Sequence, residues 1–331
     1  MTRQSLGIDN FTLALVATVT AATLLPARGA MAALFDDATV VAVALLFFLH
    51  GAKLSRQAII AGASHWRLHL TVFAATFGLF PLLGLMLKPL LAPLVTPELY
   101  LGVLYVCALP ATVQSAIAFT SIARGNIPAA ICSASASSIL GIFLTPLLVG
   151  VLLDAHTQGG DTGHAVLKIV EQLLLPFIAG QVARQWIGTW VDRNKSLLKF
   201  VDQGSILLVV YAAFSAAVLQ GLWHQVPPLS LAGTLLVNAV LLALVLLATR
   251  SAARLEGFSR EDEITTVFCG SKKSLASGVP MAKVLFAGHS IGVILLPLML
   301  FHQMQLMVCA VLARKYAARR EHAAGVVAKQ V

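Results

Sequence analysis

Two adjacent lysines, Lys272 and Lys273, lie in the middle of an apolar stretch between residues 261 and 286. An ammonium group in hydrocarbon costs on the order of 3 kcal/mol, so such side chains usually face water, a partner or a bound anion. Neighbouring residues of a helix point roughly 100° apart, and we therefore expect different roles for the two lysines. The alternative is that both long side chains extend toward a membrane surface. Gly270 and Gly278 argue against one continuous helix in this stretch.

A second apolar stretch, between residues 100 and 124, contains Pro110 near its middle. Proline removes a backbone N–H and clashes with the preceding helical turn, so carbonyl groups are freed there. Such carbonyls can bind a cation or a substrate, because broken backbone is tolerated in a membrane only inside protein or beside a cavity. The polar residues around this break are Thr112, Gln114, Ser115 and Thr120. The alternative is that they only hold helices together.

Serines provide the remaining candidate ligands. Ser133 and Ser137 lie in a small-residue run of the following stretch, where their hydroxyls can bond across closely packed helices. Ser271 and Ser274 flank the two lysines. The full set of predicted substrate- or ion-binding residues is Thr112, Gln114, Ser115, Thr120, Ser133, Ser137, Ser271, Lys272, Lys273 and Ser274.

Catalytic and metal-binding patterns are absent from the sequence. It has no His-Glu-x-x-His, no pair of intramembrane aspartates, no Gly-x-Ser-x-Gly and no phosphate-binding loop of the Walker type. The four cysteines lie in apolar segments without the spacing of metal ligands, and we interpret them as small core residues. We therefore predict that the protein is not an enzyme and has no catalytic residue, metal or cofactor.

The composition requires a membrane as the solvent of this 331-residue chain. Hydrophobic residues make up 58% and charged residues 11%, with a mean hydropathy of +0.87, far from the balance of soluble domains. Each crossing takes roughly 20 apolar residues, so the length allows about ten crossings and no separate soluble domain. The net charge of +9 is distributed in short groups between apolar runs, which indicates a cytoplasmic membrane face and not a nucleic-acid partner.

Ten apolar runs predict an all-α polytopic membrane protein with ten transmembrane helices. The runs are Phe11–Pro26, Ala38–Leu54, Leu70–Leu90, Tyr100–Arg124, Pro128–Leu153, Val166–Gln185, Phe200–Leu222, Ala232–Thr249, Glu261–Phe286 and Ser290–Ala313. The first run follows Arg3 and also resembles a cleavable secretion signal, but further runs follow at once and favour a retained helix.

The basic residues predict the orientation of these helices. Most of the 23 lysines and arginines lie on the side that carries both ends of the chain, whereas Arg28, Lys88 and Lys168 are the basic residues of the opposite loops. Cytoplasmic loops collect basic residues, so both termini should be cytoplasmic, in a bacterial inner membrane.

The interrupted fourth and ninth runs occupy corresponding places in two halves of five runs. Halves with an odd number of crossings enter the membrane in opposite senses, which is the geometry of an inverted-topology repeat. We predict that residues 1–154 form the first repeat and residues 155–316 the second. Residues 317–331 are predicted to form a basic cytoplasmic tail.

Several motifs together resemble a known family. The most specific is Ser271-Lys-Lys-Ser-Leu-Ala-Ser-Gly-Val-Pro-Met-Ala-Lys283, followed by Phe286-Ala-Gly-His289, with support from Leu109-Pro110 through Ser115. Over nearly its whole length the chain resembles the bile acid:sodium symporter superfamily, in the bacterial branch related to vertebrate member seven. This resemblance implies a four-helix panel against a six-helix core, with unwound helices four and nine crossing at the centre.

In the sodium-coupled branches, the resemblance implies two sodium ions at this crossing. Ser115 matches one ligand, but several ligand positions carry residues that do not bind sodium. These positions are Ala116, Ala130, Ala134, Phe268 and Lys272, with Thr76 near a glutamine position of helix three. An apolar residue in place of a carboxylate removes the charge that offsets sodium desolvation, and an ammonium nearby repels the ion at short range. We therefore hypothesise that Lys272 or Lys273 supplies a fixed positive charge or a proton-coupled site, which leaves Na⁺ and H⁺ as the possible coupling ions.

The predicted function is secondary transport of a small organic anion by alternating access, within membrane lipid. The same lysines can attract the anion, helped by the positive end of the half-helix that follows Gly270. The alternative is a non-transporting membrane regulator or scaffold that affects ion handling. Measurable flux or a bound solute separates the two hypotheses.

Overall fold

The computed structural model describes residues 10–53, 65–153, 170–286 and 290–327. These residues form helices joined by short turns, and no strand occurs among them. Several residues used above lie outside these ranges, among them Arg3, Leu54, residues 166–169 with Lys168, and residues 287–289.

The longer helices are numbered here in chain order. They are α1 (Asn10–Leu24), α2 (Ala30–Lys53), α3 (Trp66–Met86), α4 (Pro97–Ala108), α5 (Val113–Ile122), α6 (Ile127–Leu153), α7 (Leu175–Arg193), α8 (Lys195–Leu219), α9 (Pro228–Leu255), α10 (Arg260–Gly270), α11 (Leu275–Leu285) and α12 (Ile291–Val327). Within α3, a π-helical turn occupies Ala74–Leu79. A second π-helical turn, Val170–Leu174, precedes α7.

These helices confirm a multi-pass membrane protein. Six of the described helices, α2, α3, α6, α8, α9 and α12, are long and apolar enough to cross a membrane. The bent pair α4–α5 makes a seventh if both halves form one span. The count of ten remains a prediction, because α1 is short, α7 does not reach the same length and hydropathy, and the pair α10–α11 carries acidic residues in α10 and both lysines in its break.

Two groups of helices pack mainly within themselves. The first group consists of α1, α2, α7 and α8, and the second of α3 to α6 and α9 to α12. The main contacts between the groups join α8 to α11 and α12. One polar link adds to them, since the Lys283 ammonium on α11 lies 3.0 Å from the Asp36 carboxylate on α2 and also bonds Thr39.

Two glycines allow α2 and α7 to approach closely. A Cβ atom on Gly180 would lie 1.9 Å from the Phe48 carbonyl oxygen, and one on Gly51 would lie 2.1 Å from the Phe177 carbonyl oxygen. Small residues permit such backbone contact between membrane helices, where packing replaces the hydrophobic effect. The Gln181 amide adds a hydrogen bond of 2.8 Å to the Gly51 carbonyl. The packing of the first group of helices therefore depends on this close contact between α2 and α7.

Replacing Gly180 by alanine should weaken the contact between α2 and α7. The added methyl group would overlap the Phe48 carbonyl, so the helices would have to separate. We expect Gly180→Ala to destabilise the protein by about 2 kcal/mol, measured as a lower midpoint of thermal unfolding in detergent. Gly204→Ala on α8 is the matched control, since nothing lies within 4 Å of its added Cβ. Equal midpoints for the two variants would contradict the close contact between α2 and α7.

Candidate functional site

The break between α4 and α5 is held open by side chains of α6. Leu109 and Thr112 have extended backbone conformations, with ψ of 154° and 136°, and the helix direction changes by 64°. The Thr145 hydroxyl donates to the Ala108 carbonyl at 2.9 Å, and the Ala111 N–H donates to the Ser137 hydroxyl at 3.0 Å. The predicted break at Pro110 is therefore present, and neighbouring hydroxyls replace the lost helical hydrogen bonds.

A second break separates α10 from α11. Ser274 is extended, with ψ of 111°, and its hydroxyl caps α11 by accepting from the Ser277 N–H at 3.1 Å. The Ser274 N–H donates to the Pro110 carbonyl at 2.9 Å. The two interrupted segments are therefore in direct contact through their backbones, and we call the segments Leu109–Thr112 and Ser271–Ser274 the crossing.

Lys273 places its ammonium group inside the crossing. Its Nζ donates to the carbonyls of Thr76 at 2.7 Å, Cys107 at 2.8 Å and Leu109 at 2.7 Å. The Phe80 ring centre lies 4.1 Å from the same Nζ, within the range of a cation–π contact. The side chain is fully buried. All three ammonium protons are used, because a lysine has three donors.

The carbonyl of Thr76 is available because of the π-helical turn in α3. The Phe80 N–H, which would serve the Thr76 carbonyl in an α-helix, donates to the Ala75 carbonyl instead. The next donor along the chain would be residue 81, which is a proline without an N–H. The Thr76 oxygen thus has no donor in its own helix, and Lys273 provides one.

Gln305 on α12 fixes the backbone of Lys273. Its Oε1 accepts from the Lys273 N–H at 2.8 Å, and its Nε2 donates to the Lys273 carbonyl at 2.8 Å. The same Nε2 lies 3.0 Å from His302 Nδ1. Gln305 was not among the predicted site residues, although amides in an apolar helix, here Gln303 and Gln305, are a signal for such a role.

Lys272 has different surroundings from Lys273, and both lysines lie in the non-helical break between α10 and α11 and not on a helix. Its Nζ lies 4.2 Å from the ring centre of Phe119 and 5.8 Å from that of Phe268. The side chain is fully buried, and its Nζ has no hydrogen-bond partner among the described residues. The thiols of Cys269 and Cys309 also lie near it. This ammonium is therefore stabilised by aromatic faces and not by carbonyls.

The other candidates of the second helix group divide into two sets. Three use their hydrogen bonds elsewhere or are enclosed: Ser133 lies 2.6 Å from His69 Nδ1, Ser271 donates to the Val267 carbonyl at 2.6 Å, and the Thr120 hydroxyl is buried without a partner among the described residues. Three lie where α5 begins. There the Thr112 and Ser115 hydroxyls are 3.3 Å apart and Gln114 is exposed.

The alanines at the expected sodium positions form a closed apolar cluster. Ala116, Ala130 and Ala134 are fully buried, and Cys269 packs with them. Leu68, Val72 and Ala129 complete the cluster. A sodium ion requires several oxygen ligands, and the alanine side chains offer none.

Asn126 joins the far ends of α5 and α10. Its side-chain amide donates to the Asp262 carboxylate at 2.8 Å, and its N–H donates to the Thr265 hydroxyl at 2.9 Å. The preceding Arg124 has a positive φ of 60°, which turns the chain toward α10. The Ser259 hydroxyl caps α10 by accepting from the Asp262 N–H at 3.1 Å. The half-helices α5 and α10 are therefore joined at both ends.

Two interrupted helices that meet at their breaks inside a bundle of membrane helices are typical of secondary transporters. Residues 9–318 match the model of the SBF-like CPA transporter family. The chain belongs to this family, and the resemblance inferred from its motifs is confirmed.

Relatives extend over almost the whole chain. Uncharacterized protein PA2026 of Pseudomonas aeruginosa is 67% identical over 329 residues, covering 99% of both chains. YfeH of Escherichia coli, named as a candidate symporter, is 57% identical over 314 residues, covering 95% of this chain and 94% of the relative. Sodium/bile acid cotransporter 7 of Rattus norvegicus is 30% identical over 308 residues, covering 91% and 90%. The protein is a membrane transporter, and the names of its relatives point to transport and not to catalysis.

Replacing each lysine in turn by methionine should show, through protein stability, that the two ammonium groups have different environments. Lys273→Met leaves three buried carbonyls without their donor, which we expect to cost about 3 kcal/mol or more. Lys272→Met removes an ammonium without hydrogen bonds and keeps an apolar chain against Phe119, so its stability should be unchanged or higher. Thermal unfolding in detergent measures both variants. Equal losses would contradict the different roles of the two ammonium groups.

Proposed function

We propose that the protein is a secondary transporter of a small organic anion in which the Lys273 ammonium replaces a coupling cation at the crossing. One observation carries the proposal: the ammonium binds three backbone carbonyls from α3 and α4 where two broken helices meet. Oxygen cages of this kind hold sodium or potassium in proteins that bind them. The covalently attached Lys273 ammonium supplies the positive charge that ion-coupled transporters obtain by binding a cation from solution.

Electrostatics explain why a cation is needed at this position. Helices α4 and α10 both end at the crossing, so the negative ends of two helix dipoles converge there. Low dielectric strengthens their mutual repulsion. A positive charge on Lys273 between these ends stabilises the crossing, and a sodium ion is no longer required there.

The resident lysine and the alanine cluster together argue against sodium coupling at this site. A sodium ion would have to displace the Lys273 ammonium or bind among the side chains of Ala116, Ala130 and Ala134. The first option leaves a buried ammonium unpaired, and the second offers no side-chain ligand. Of the two coupling ions left open by the sequence, the proton is the one compatible with these side chains.

The anion is expected at the start of α5 and not at Lys273. All three protons of the Lys273 ammonium are used by carbonyls, so it has no donor for a substrate. The first turn of α5 offers uncapped N–H groups, because the Thr112 side chain does not cap it. Gln114 is exposed beside them and Ser115 is partly exposed. We propose these two side chains and the α5 N-terminus as the substrate contacts.

The wider architecture of the proposal follows the predicted repeats. Residues 1–154 and 155–316 form two inverted five-helix repeats with ten spans, and both termini are cytoplasmic. The first helix group is the panel and the second is the core. The main contacts between them lie on α11 and α12, whereas α5 and α10 pack chiefly inside the core. This supports a conformation closed on the predicted outer side, and rocking of one group against the other gives alternating access.

Uptake into proteoliposomes tests the proposal. We expect accumulation of at least one carboxylate or sulfonate anion from a screen that includes taurocholate, with a rate unchanged when choline replaces sodium at constant pH. Gln114→Leu should raise the KM severalfold, since it removes a proposed substrate contact, while the exposed Gln220→Leu on the other helix group should not. A rate that rises steeply with sodium would overturn the proposal. Stable protein without flux of any anion would favour the regulator hypothesis.

Chemical rescue tests the cation role of Lys273 without knowledge of the substrate. Lys273→Ala leaves a space lined by the carbonyls of Thr76, Cys107 and Leu109. Methylammonium should occupy it and raise the unfolding midpoint of this variant, because a ligand that binds only the native state stabilises it. The midpoints of wild type and of Lys272→Ala, which opens no carbonyl cage, should not respond. Equal responses of all three proteins would refute the assignment.

A further inference from the structure

A cleft that the transport site does not use runs along the second helix group between α3 and α9. Its volume is about 550 Å³. The apolar wall consists of Leu70, Ala74, Ala75, Leu79, Ala248 and Ala252. Arg67, Thr71 and Glu256 lie at one end, with Trp66 beside them. The cleft therefore has a polar end and an apolar body.

The depth of the cleft matches a lipid acyl chain. Arg67 and Leu79 are both on α3, and twelve residues of helix rise by roughly 18 Å. Half of a bilayer hydrocarbon core is about 15 Å thick. Trp66 at the polar end is well exposed, as interfacial tryptophans are. The cleft thus extends from the membrane surface to the middle of the bilayer, where hydrocarbon is the solvent.

A separate polar cavity of about 250 Å³ adjoins the same end. It shares Trp66, Arg67 and Glu256 with the apolar cleft, and it reaches Ser259 and Asp262. An apolar cleft and a polar cavity that share three residues fit one amphiphile, with its tail in the first and its head in the second.

The shared residues carry opposite charges that are not paired with each other. The Arg67 guanidinium donates to the Glu256 main-chain carbonyl at 3.2 Å and lies 5.8 Å from the Phe258 ring centre. The Glu256 carboxylate accepts from the Thr71 hydroxyl at 2.6 Å. The guanidinium therefore keeps donors for a phosphate, and the carboxylate keeps acceptor capacity for an ammonium.

We propose that this cleft binds one phosphatidylethanolamine molecule. Its phosphate lies against Arg67, its primary ammonium against Glu256, and one acyl chain fills the apolar cleft. Phosphatidylcholine has no N–H to donate to the carboxylate, and phosphatidylglycerol has no cation. The charge pattern thus selects the ethanolamine headgroup.

The bound chain would also support the crossing. Ala75 and Leu79, at the deep end of the cleft, belong to the π-helical turn that presents the Thr76 carbonyl to Lys273. The backbone of Gly270 is also close, since a Cβ there would lie 3.3 Å from Ala75. The lipid therefore packs directly against the π-helical turn. This inference does not depend on what the protein transports.

Lipid binding to the delipidated full-length protein tests the proposal by native mass spectrometry, with dioleoyl forms of the three phospholipids. Phosphatidylethanolamine should bind about tenfold more tightly than phosphatidylcholine or phosphatidylglycerol, which is the effect of one charge-assisted hydrogen bond. Glu256→Gln should abolish the preference over phosphatidylglycerol, and Arg67→Gln should weaken both lipids. Equal affinities of the wild type for the three lipids would overturn the proposal.

Variants on one helix test the position of the acyl chain. Ala248→Phe fills the apolar cleft and should remove the tight ethanolamine lipid, while Ala243→Phe, on an exposed face of α9 outside the cleft, should not. Unfolding midpoints show whether each variant is folded. Tight binding that survives in the folded Ala248→Phe variant would exclude this cleft. If Ala248→Phe does not fold, the lipid affinities of Arg67→Gln and Glu256→Gln decide the question independently.

Discussion

The structure depends on one constraint: backbone carbonyls freed inside a membrane must find donors within the protein. At the first break, the Ala108 carbonyl accepts from Thr145, the Pro110 carbonyl from the Ser274 N–H, and the Cys107 and Leu109 carbonyls from Lys273. These donors come from two distant parts of the chain, α6 and the break that precedes α11, and Lys273 also bonds the Thr76 carbonyl of α3. The break is therefore also a junction that holds α3, α4, α6 and α11 together. Such a junction is stable only when all of its members are present, because one missing donor leaves an unpaired polar group in low dielectric.

The two lysines show how one residue step changes the chemistry of a charge. Lys273 points toward helix ends that lack donors, and its ammonium completes them. Lys272 points toward Phe119 and Phe268, and the thiols of Cys269 and Cys309 are near it. A carbonyl cage requires a cation, whereas an aromatic cage tolerates one. Only the first environment explains why a charge is retained in the interior, and this difference leads us to assign the cation role to Lys273.

Much of this arrangement could be predicted from the sequence, because the strongest signals are local. Pro110 removes a donor wherever it stands in a helix, and Gly270 with two following lysines cannot continue a lipid-facing helix. The partners of these breaks are not local. The Thr76 carbonyl becomes free only because the Phe80 N–H donates to the Ala75 carbonyl, one residue before Thr76. No apolar pattern in the sequence reveals this shift. Gln305 and His69 were missed for the same reason, since their partners Lys273 and Ser133 are distant in the chain. The span count stayed open where short or charged helices do not meet the length and hydropathy of a membrane crossing.

The distribution of these bonds indicates where the molecule can move. Lys273, Ser274, Gln305 and Asn126 tie the interrupted helices to one another at both ends of the half-helices, so the crossing should move as one body. The contact between the two helix groups is different in kind. It consists of α8 against α11 and α12, with Lys283 bonded to Asp36 and Thr39, and ion pairs near a surface contribute little. Motion that breaks this contact costs less than motion that opens the crossing. A carbonyl cage filled by a tethered ammonium therefore suits alternating access, because it keeps the core intact while the two groups change their relative position.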